Sequence, residues 1–191
     1  MIQARDAMIS NKDTICAIAT PPGCGGLGVV RISGPAAREI LAELWRGKVK
    51  VADFTIRQLY LGELVDQPNE VVDQIMAVFM PGPQTYTGDN VVELSCHGAP
   101  VILQRVLKLC IAAGARLAQP GEFTRRAFLK GKLDLAQAEA VAALIHSSSE
   151  QAARQAQEQL AGRLSQEVSY LHDELTNLRA FVEATIDFPE E

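Results

Sequence analysis

Thr14-Ile15-Cys16-Ala17-Ile18-Ala19-Thr20, then Pro21-Pro22-Gly23-Cys24-Gly25-Gly26-Leu27-Gly28, then Val29-Val30-Arg31-Ile32-Ser33 is the stretch that decides the fold. Its two ends are short β-prone apolar runs and its middle is rich in proline and glycine, so it predicts two strands joined by a loop. The same residues contain a literal GxGxxG. In a dinucleotide-binding turn the third glycine opens a helix whose N-terminus meets the pyrophosphate. Here Val29 to Ile32 is β-branched and strand-like, and two prolines separate the first strand from the loop. That context argues against a nicotinamide or flavin site. It leaves a glycine-rich hairpin that lets backbone come close to a flat ligand, or a merely flexible hairpin.

Working outward, Gly34-Pro35 predicts a helix through about Trp45, because proline suits the first helical position. Further strands are expected at Gln58 to Val65, Gln74 to Met80 and Val91 to Cys96, with a turn at Asp66 to Asn69 and a hydroxyl-rich loop at Pro81 to Asp89. Ile102, Leu103, Val106, Leu107, Cys110 and Ile111 repeat at helical spacing, and Gly114 is placed to cap that helix. A short strand is expected at Arg116 to Ala118. After the basic stretch Arg125-Arg126-Ala127-Phe128-Leu129-Lys130-Gly131-Lys132 the strand signals stop. Asp134 with Gln137 predicts a capping box opening one helix, and Ser147 with Glu150 predicts another opening a second. In that second helix Leu160, Leu164, Val168, Leu171, Leu175, Leu178 and Val182 form a heptad-like stripe that calls for partner helices. The expected fold class is α+β, a mixed α/β sheet module followed by all-α helices.

The chain has 191 residues, 48% hydrophobic, with a formal net charge of −5. This excludes a disordered segment, and a buried core is expected. No apolar run approaches the ~18 residues that cross a bilayer, and Arg5, Asp6, Lys12 and Asp13 leave no signal-peptide core, so the protein reads as cytoplasmic with no membrane partner. The charge is uneven: residues 1–133 carry 15 basic and 12 acidic side chains, net +3, and residues 134–191 carry 3 and 11, net −8. The first part can attract an anionic ligand locally, and the second should repel a phosphate backbone. Cys16, Cys24, Cys96 and Cys110 form no CxxC pair, so no metal site or disulfide framework is expected, and Cys24 alone lies outside an apolar run.

Two Gly-Lys pairs, Gly47-Lys48 and Gly131-Lys132, fail as phosphate-binding loops. The glycine needed five residues earlier is Ala42 or Arg126, and the following Ser or Thr is Val49 or Leu133. No catalytic residue is assigned. Adjacent Cys96 and His97 point to opposite strand faces, which argues against a nucleophilic pair. Glu93 alternates away from Val92 and Leu94; it lies on a solvated strand face, or it lines a cleft and accepts the paired donors of a pterin or guanine edge.

These residues carry a family resemblance. Asp13 to Gly23, Arg31-Ile32-Ser33-Gly34, Tyr86-Thr87-Gly88-Asp89, His97-Gly98, Pro120-Gly121-Glu122-Phe123-Thr124, Gly131 to Ala140, and Ile186-Asp187-Phe188-Pro189-Glu190 resemble the N-terminal part of the tRNA-modification GTPase family called MnmE or TrmE. The resemblance implies an N-terminal extension at 1–12, a folate-binding and homodimerising domain at 13–119 similar to that of aminomethyltransferases, and the first helices of a helical domain at 120–191, before an inserted GTPase domain. It implies a reduced folate, 5-formyltetrahydrofolate or 5,10-methylenetetrahydrofolate, held by Arg31, Glu93 and Lys132. With the flavoprotein MnmG, the family places an aminomethyl-type group on the wobble uridine of tRNA; GTP, magnesium and potassium belong to the GTPase domain. A flat pterin with an anionic tail needs a carboxylate and cations, which suits Glu93 with Arg31 and Lys132, and makes Arg125 and Arg126 rival cations. The chain departs from the family's usual pattern at Cys24, where many members have Arg, and at Ala99, where many have Gly. A stand-alone folate-dependent one-carbon transferase is the alternative, and a dimerising scaffold with an empty cleft the third reading.

Overall fold

Cross-strand pairing fixes the architecture of the chain. The computed structural model describes residues 13–66 and 70–187; the N-terminal extension, part of the expected turn at Asp66 to Asn69, and Phe188-Pro189-Glu190 lie outside the described residues. Seven strands, β1 (Ile15–Ile18), β2 (Gly25–Ser33), β3 (Trp45–Arg46), β4 (Leu59–Asp66), β5 (Glu70–Met80), β6 (Val91–Gly98) and β7 (Arg116–Leu117), form one sheet in the order β3-β4-β5-β6-β2-β1-β7. All pairs are antiparallel except β1 with β7, so the sheet is mixed. Helices α1 (Ala37–Leu44) and α2 (Pro100–Ala112) cover one face, where Val30, Ile32, Val92, Leu94, Ala77 and Phe79 meet Ile40, Leu41, Leu103 and Val106 in the core. Such burial contributes roughly 25 cal/mol per Å² of apolar surface removed from water. The α+β class is as expected.

The decisive stretch differs from expectation at its centre. Gly25 to Gly28 is already strand, pairing with β6 through an irregular register, and not a free loop. Glycine is required at the crossing: a Cβ on Gly98 would stand 2.5 Å from the Gly25 carbonyl oxygen. The helix after Ser33 starts at Ala37, two residues beyond Pro35, and Trp45 leaves it to join β3. Its entry is held by Thr14 Oγ1, which accepts from the Ala36 N–H at 2.9 Å. β5 begins at Glu70 and β6 runs on to Gly98, both longer than expected.

The first compact unit ends at Lys130 and the second begins at Gly131, whereas the expected domain boundary lay at Gln119. The basic stretch explains the placement. It forms helix α3 (Glu122–Leu129), whose Glu122 and Arg126 are buried in an ion network with Asp13 and Arg116.

The second unit contains α4 (Leu135–Ile145), α5 (Glu150–Leu160) and α6 (Arg163–Asp187). Asp134 and Gln137 make the expected capping box, with bonds of 2.8 and 3.0 Å. The cap of α5 is Ser149, which accepts from Ala152 N–H, and not Ser147. The expected single long helix is two helices, because Gly162 takes φ +84°, a left-handed conformation that ends α5. The stripe from Leu164 to Val182 is exposed throughout. No helix among the described residues is long and apolar enough to cross a membrane.

Candidate functional site

The face of the sheet turned away from α1 and α2 changes character from row to row. At one end Ile15, Ser33 and Val91 are buried, and Ser33 Oγ shares a 2.7 Å hydrogen bond with Thr87 of the loop 81–90, so that loop covers the row. The next row, Ala17, Arg31, Glu93, Val78 and Leu59, crosses five strands and is half-buried until Leu59, which is exposed. Beyond it, Val29 and Ser95 are half-buried and Met76 and Leu61 exposed. The face therefore opens in the direction from Val91 toward His97.

Arg31 and Glu93 are cross-strand neighbours in the second row. Arg31 donates from Nε at 2.8 Å and from Nη2 at 2.7 Å, both to Glu93 Oε1. Among the described residues nothing is bonded to Oε2. A partly solvated pair of this kind adds little stability. Its consequence is orientation, since the guanidinium fixes the carboxylate and leaves one oxygen able to accept from a ligand. Phe123 of α3 lies beside it, with Arg31 Cζ 5.8 Å from the ring centroid. Tyr86 and Thr124 share a 2.9 Å hydroxyl contact that ties the loop 81–90 to the same helix. This arrangement presents a carboxylate oxygen, a cation and an aromatic ring, which are acceptor, donor and stacking partners for a flat heterocycle.

The expected site residues are therefore brought together in part. Arg31 and Glu93 form one pair in the first unit; Lys132 belongs to the second unit, where it is exposed in the turn between α3 and α4. Arg126, a rival cation for an anionic tail, is corrected to a structural role: it is buried and bonds Asp13 and Glu122 at 2.5 and 3.0 Å. Arg125 stays exposed. Burial alone would raise the Glu122 pKa, but bonds from Arg116, the Gln119 N–H and Arg126 bring it down to about 2. Asp13 is also held below its ordinary value: Arg116 and Arg126 outweigh its desolvation. Lys130 pairs with Asp89, and Asp89 Oδ2 and Arg126 Nη1 stand 3.9 Å apart, joining the loop 81–90 to the network.

Sequence reasoning missed Phe123 and Asp73. The first stands inside a quoted motif; the second carries no local signal, because its partner His97 is distant in sequence. Cys96 is buried and His97 exposed, on opposite strand faces as expected. Burial pushes the Cys16 thiol up to about 11 and the Cys96 thiol to about 12, and it raises Cys110 as well, so these three are unreactive core side chains. Cys24 is exposed.

Residues 14–132 match the family model described as GTP-binding protein TrmE N-terminus, and residues 135–191 match the MnmE helical domain. The chain belongs to the MnmE (TrmE) family. It is 53% identical over 180 residues to the tRNA modification GTPase MnmE of Chromohalobacter salexigens, covering 94% of this chain and 38% of that protein. Against the protein of the same name from Stutzerimonas stutzeri it is 50% identical over 184 residues, 96% of this chain and 39% of the other. For Thermus thermophilus MnmE the figures are 50% over 185 residues, 94% and 42%. The chain thus spans about two fifths of the length of these MnmE relatives, and the Arg31–Glu93 face lies wholly within the TrmE N-terminal match.

Proposed function

We propose that the first unit binds a reduced folate on the Arg31–Glu93 face and that the chain serves, as part of an MnmE-type protein, in modification of the tRNA wobble uridine. The observation that carries this reading is the oriented Glu93 carboxylate with Oε2 open, on a half-buried row that it shares with Ala17, Arg31 and Val78. Glu93 accepts from the amino and ring N–H edge of the pterin, and Arg31 keeps it aimed. The folate supplies a one-carbon unit. Homodimerisation through the first unit fits the exposed Leu59, Leu61 and Met76 on the same face. Work with the flavoprotein MnmG, action on tRNA, GTP hydrolysis with magnesium and potassium, and residence in the cytoplasm belong to the whole protein on this reading.

The test is thermal. Trp45 is the single tryptophan and packs against the first unit's core, so its fluorescence reports that unit's unfolding. Saturating 5-formyltetrahydrofolate at about a hundred times its Kd should stabilise the folded state by about 2.7 kcal/mol and raise Tm by several degrees. Arg31→Ala should lose most of that shift. An unchanged melting curve for the parent chain at high ligand concentration would reject the folate reading.

A further inference from the structure

At the β3 edge of the sheet the chain leaves α1 through Arg46-Gly47-Lys48-Val49-Lys50 and closes around one ring. Trp45 Nε1 donates to the Val49 carbonyl at 2.9 Å. Two glycines let backbone press on the indole: a Cβ would stand 2.6 Å from it at Gly47 and 2.5 Å from it at Gly62. The turn is therefore fixed from within while its charged side chains are exposed. Beside it lies a cleft of about 430 Å³, whose lining includes Trp45, Arg46, Lys50, Ala42 and Ala52. Among the described residues no carboxylate lines it.

The charges around this cleft are uneven. From Trp45 to Ala52 the sequence holds three cations and no acid, and Asp53 follows. Arg46 gives Nε and Nη2 to Glu63 at 2.9 and 2.7 Å, which leaves Nη1. Arg38 donates Nη2 to the Val51 and Ala52 carbonyls at 3.1 and 2.7 Å and so steadies the cleft wall. Lys48 and Lys50 are exposed, and among the described residues neither meets a carboxylate. The acids of α1, Glu39 and Glu43, each follow Arg38 or Ala42 by one residue, roughly 100° further round the helix. Glu43 lines a different cleft, with Asp66 and Leu109.

These features select a kind of anion. A small phosphate compound needs a few convergent polar groups in a pocket that buries it. Here the donors are exposed and separately mounted, so one phosphate gains little from them. A chain of phosphates sums such contacts, because each phosphate neutralised releases condensed counterions. Residues 134–191, at net −8, repel a chain of this kind, which leaves the first unit to receive it.

We propose that the Arg46–Lys50 turn and its cleft bind the phosphate backbone of RNA, tRNA on the reading above, without reading its sequence. The inference rests on the tRNA part of that reading and not on the folate site.

The experiment follows labelled, unmodified tRNA binding to the 191-residue chain by fluorescence anisotropy over a series of salt concentrations, with emission of the single tryptophan, Trp45, as a second readout. tRNA should bind, change Trp45 emission saturably and lose affinity steeply as salt rises. Lys48→Gln with Lys50→Gln should weaken binding about tenfold at low salt and lower the log–log salt slope by about 2. Lys108→Gln with Arg154→Gln removes the same charge from exposed positions away from the cleft and should change both far less. Inorganic phosphate and a nucleoside 5′-monophosphate, at phosphate concentrations matched to the tRNA, should leave Trp45 emission unchanged. If the two double variants weaken tRNA binding equally, or neither does, the cleft assignment is overturned and action on tRNA stands. If either small phosphate changes Trp45 emission as strongly as tRNA, the occupant is a free phosphate compound and the RNA assignment is overturned. If the parent binds no tRNA at low salt, the inference falls and the folate reading is untouched. Should the cleft variant fail to fold, the parent decides: tRNA binding without a change in Trp45 emission overturns the assignment.

Discussion

Helices α2 and α6 both carry an apolar stripe at helical spacing, yet α2 buries Leu103, Val106, Leu107 and Cys110, whereas α6, with 25 residues, buries none. The stripe of α2 meets the sheet within its own unit. That of α6 meets nothing comparable among the described residues, and Leu175 is 66% exposed. The difference teaches that periodicity states what a helix can bury and not whether it does. In the first unit stability comes from burial and from an ion network that spans the unit's ends; in the second it comes from caps and from packing of α4 on α5, where Gln137 and Gln159 bond across the pair.

The comparison breaks most sharply at Arg126. Arg126→Ala leaves Glu122 and Asp13 short of a buried cation and should destabilise the first unit by about 3–5 kcal/mol, read by denaturant melts of Trp45 fluorescence. The same network sets an acid limit. The folded-state pKa of Glu122, about 2, lies below its ordinary 4.5, so the stability it contributes is present above 4.5 and is lost as pH falls toward about 2. Glu122→Gln should flatten that fall; a parent chain equally stable across this window would contradict the network's role.

Next comes a matched pair of deletions. Leu94 is fully buried at the centre of the sheet, and Leu94→Ala should cost about 2–5 kcal/mol. Leu175→Ala, on the exposed stripe of α6, should change stability by no more than about 0.5 kcal/mol. Equal effects at the two positions, by chemical denaturation followed by circular dichroism, would erase the contrast between the units.

What the sequence made legible follows the same division. Strands β2 and β6 and helix α2 were readable because alternation and helical period act locally, and so was the Asp134 capping box. The ends of β5 and β6 were not, because Glu70 and His97 extend strands through partners that neighbouring residues do not announce. Arg126 reads as a surface cation beside Arg125; Glu122 stands one turn before it, and Asp13 and Asp89, far off in the chain, complete the network that buries it. Gly162 is different, since a glycine inside a helical pattern was itself a signal for the break between α5 and α6. Of the site, Arg31 and Glu93 were legible as a cation and a carboxylate, and their direct pairing followed only from strand register. Asp73 was invisible, being joined to His97 across the unpaired end of two strands.

The folate reading turns on whether the open oxygen of Glu93 receives a ligand. Calorimetric titration of the chain and of Glu93→Ala with 5-formyltetrahydrofolate tests this most directly. The account predicts saturable binding by the parent and a loss of at least tenfold in affinity for the variant. Binding by Glu93→Ala as tight as by the parent would contradict it.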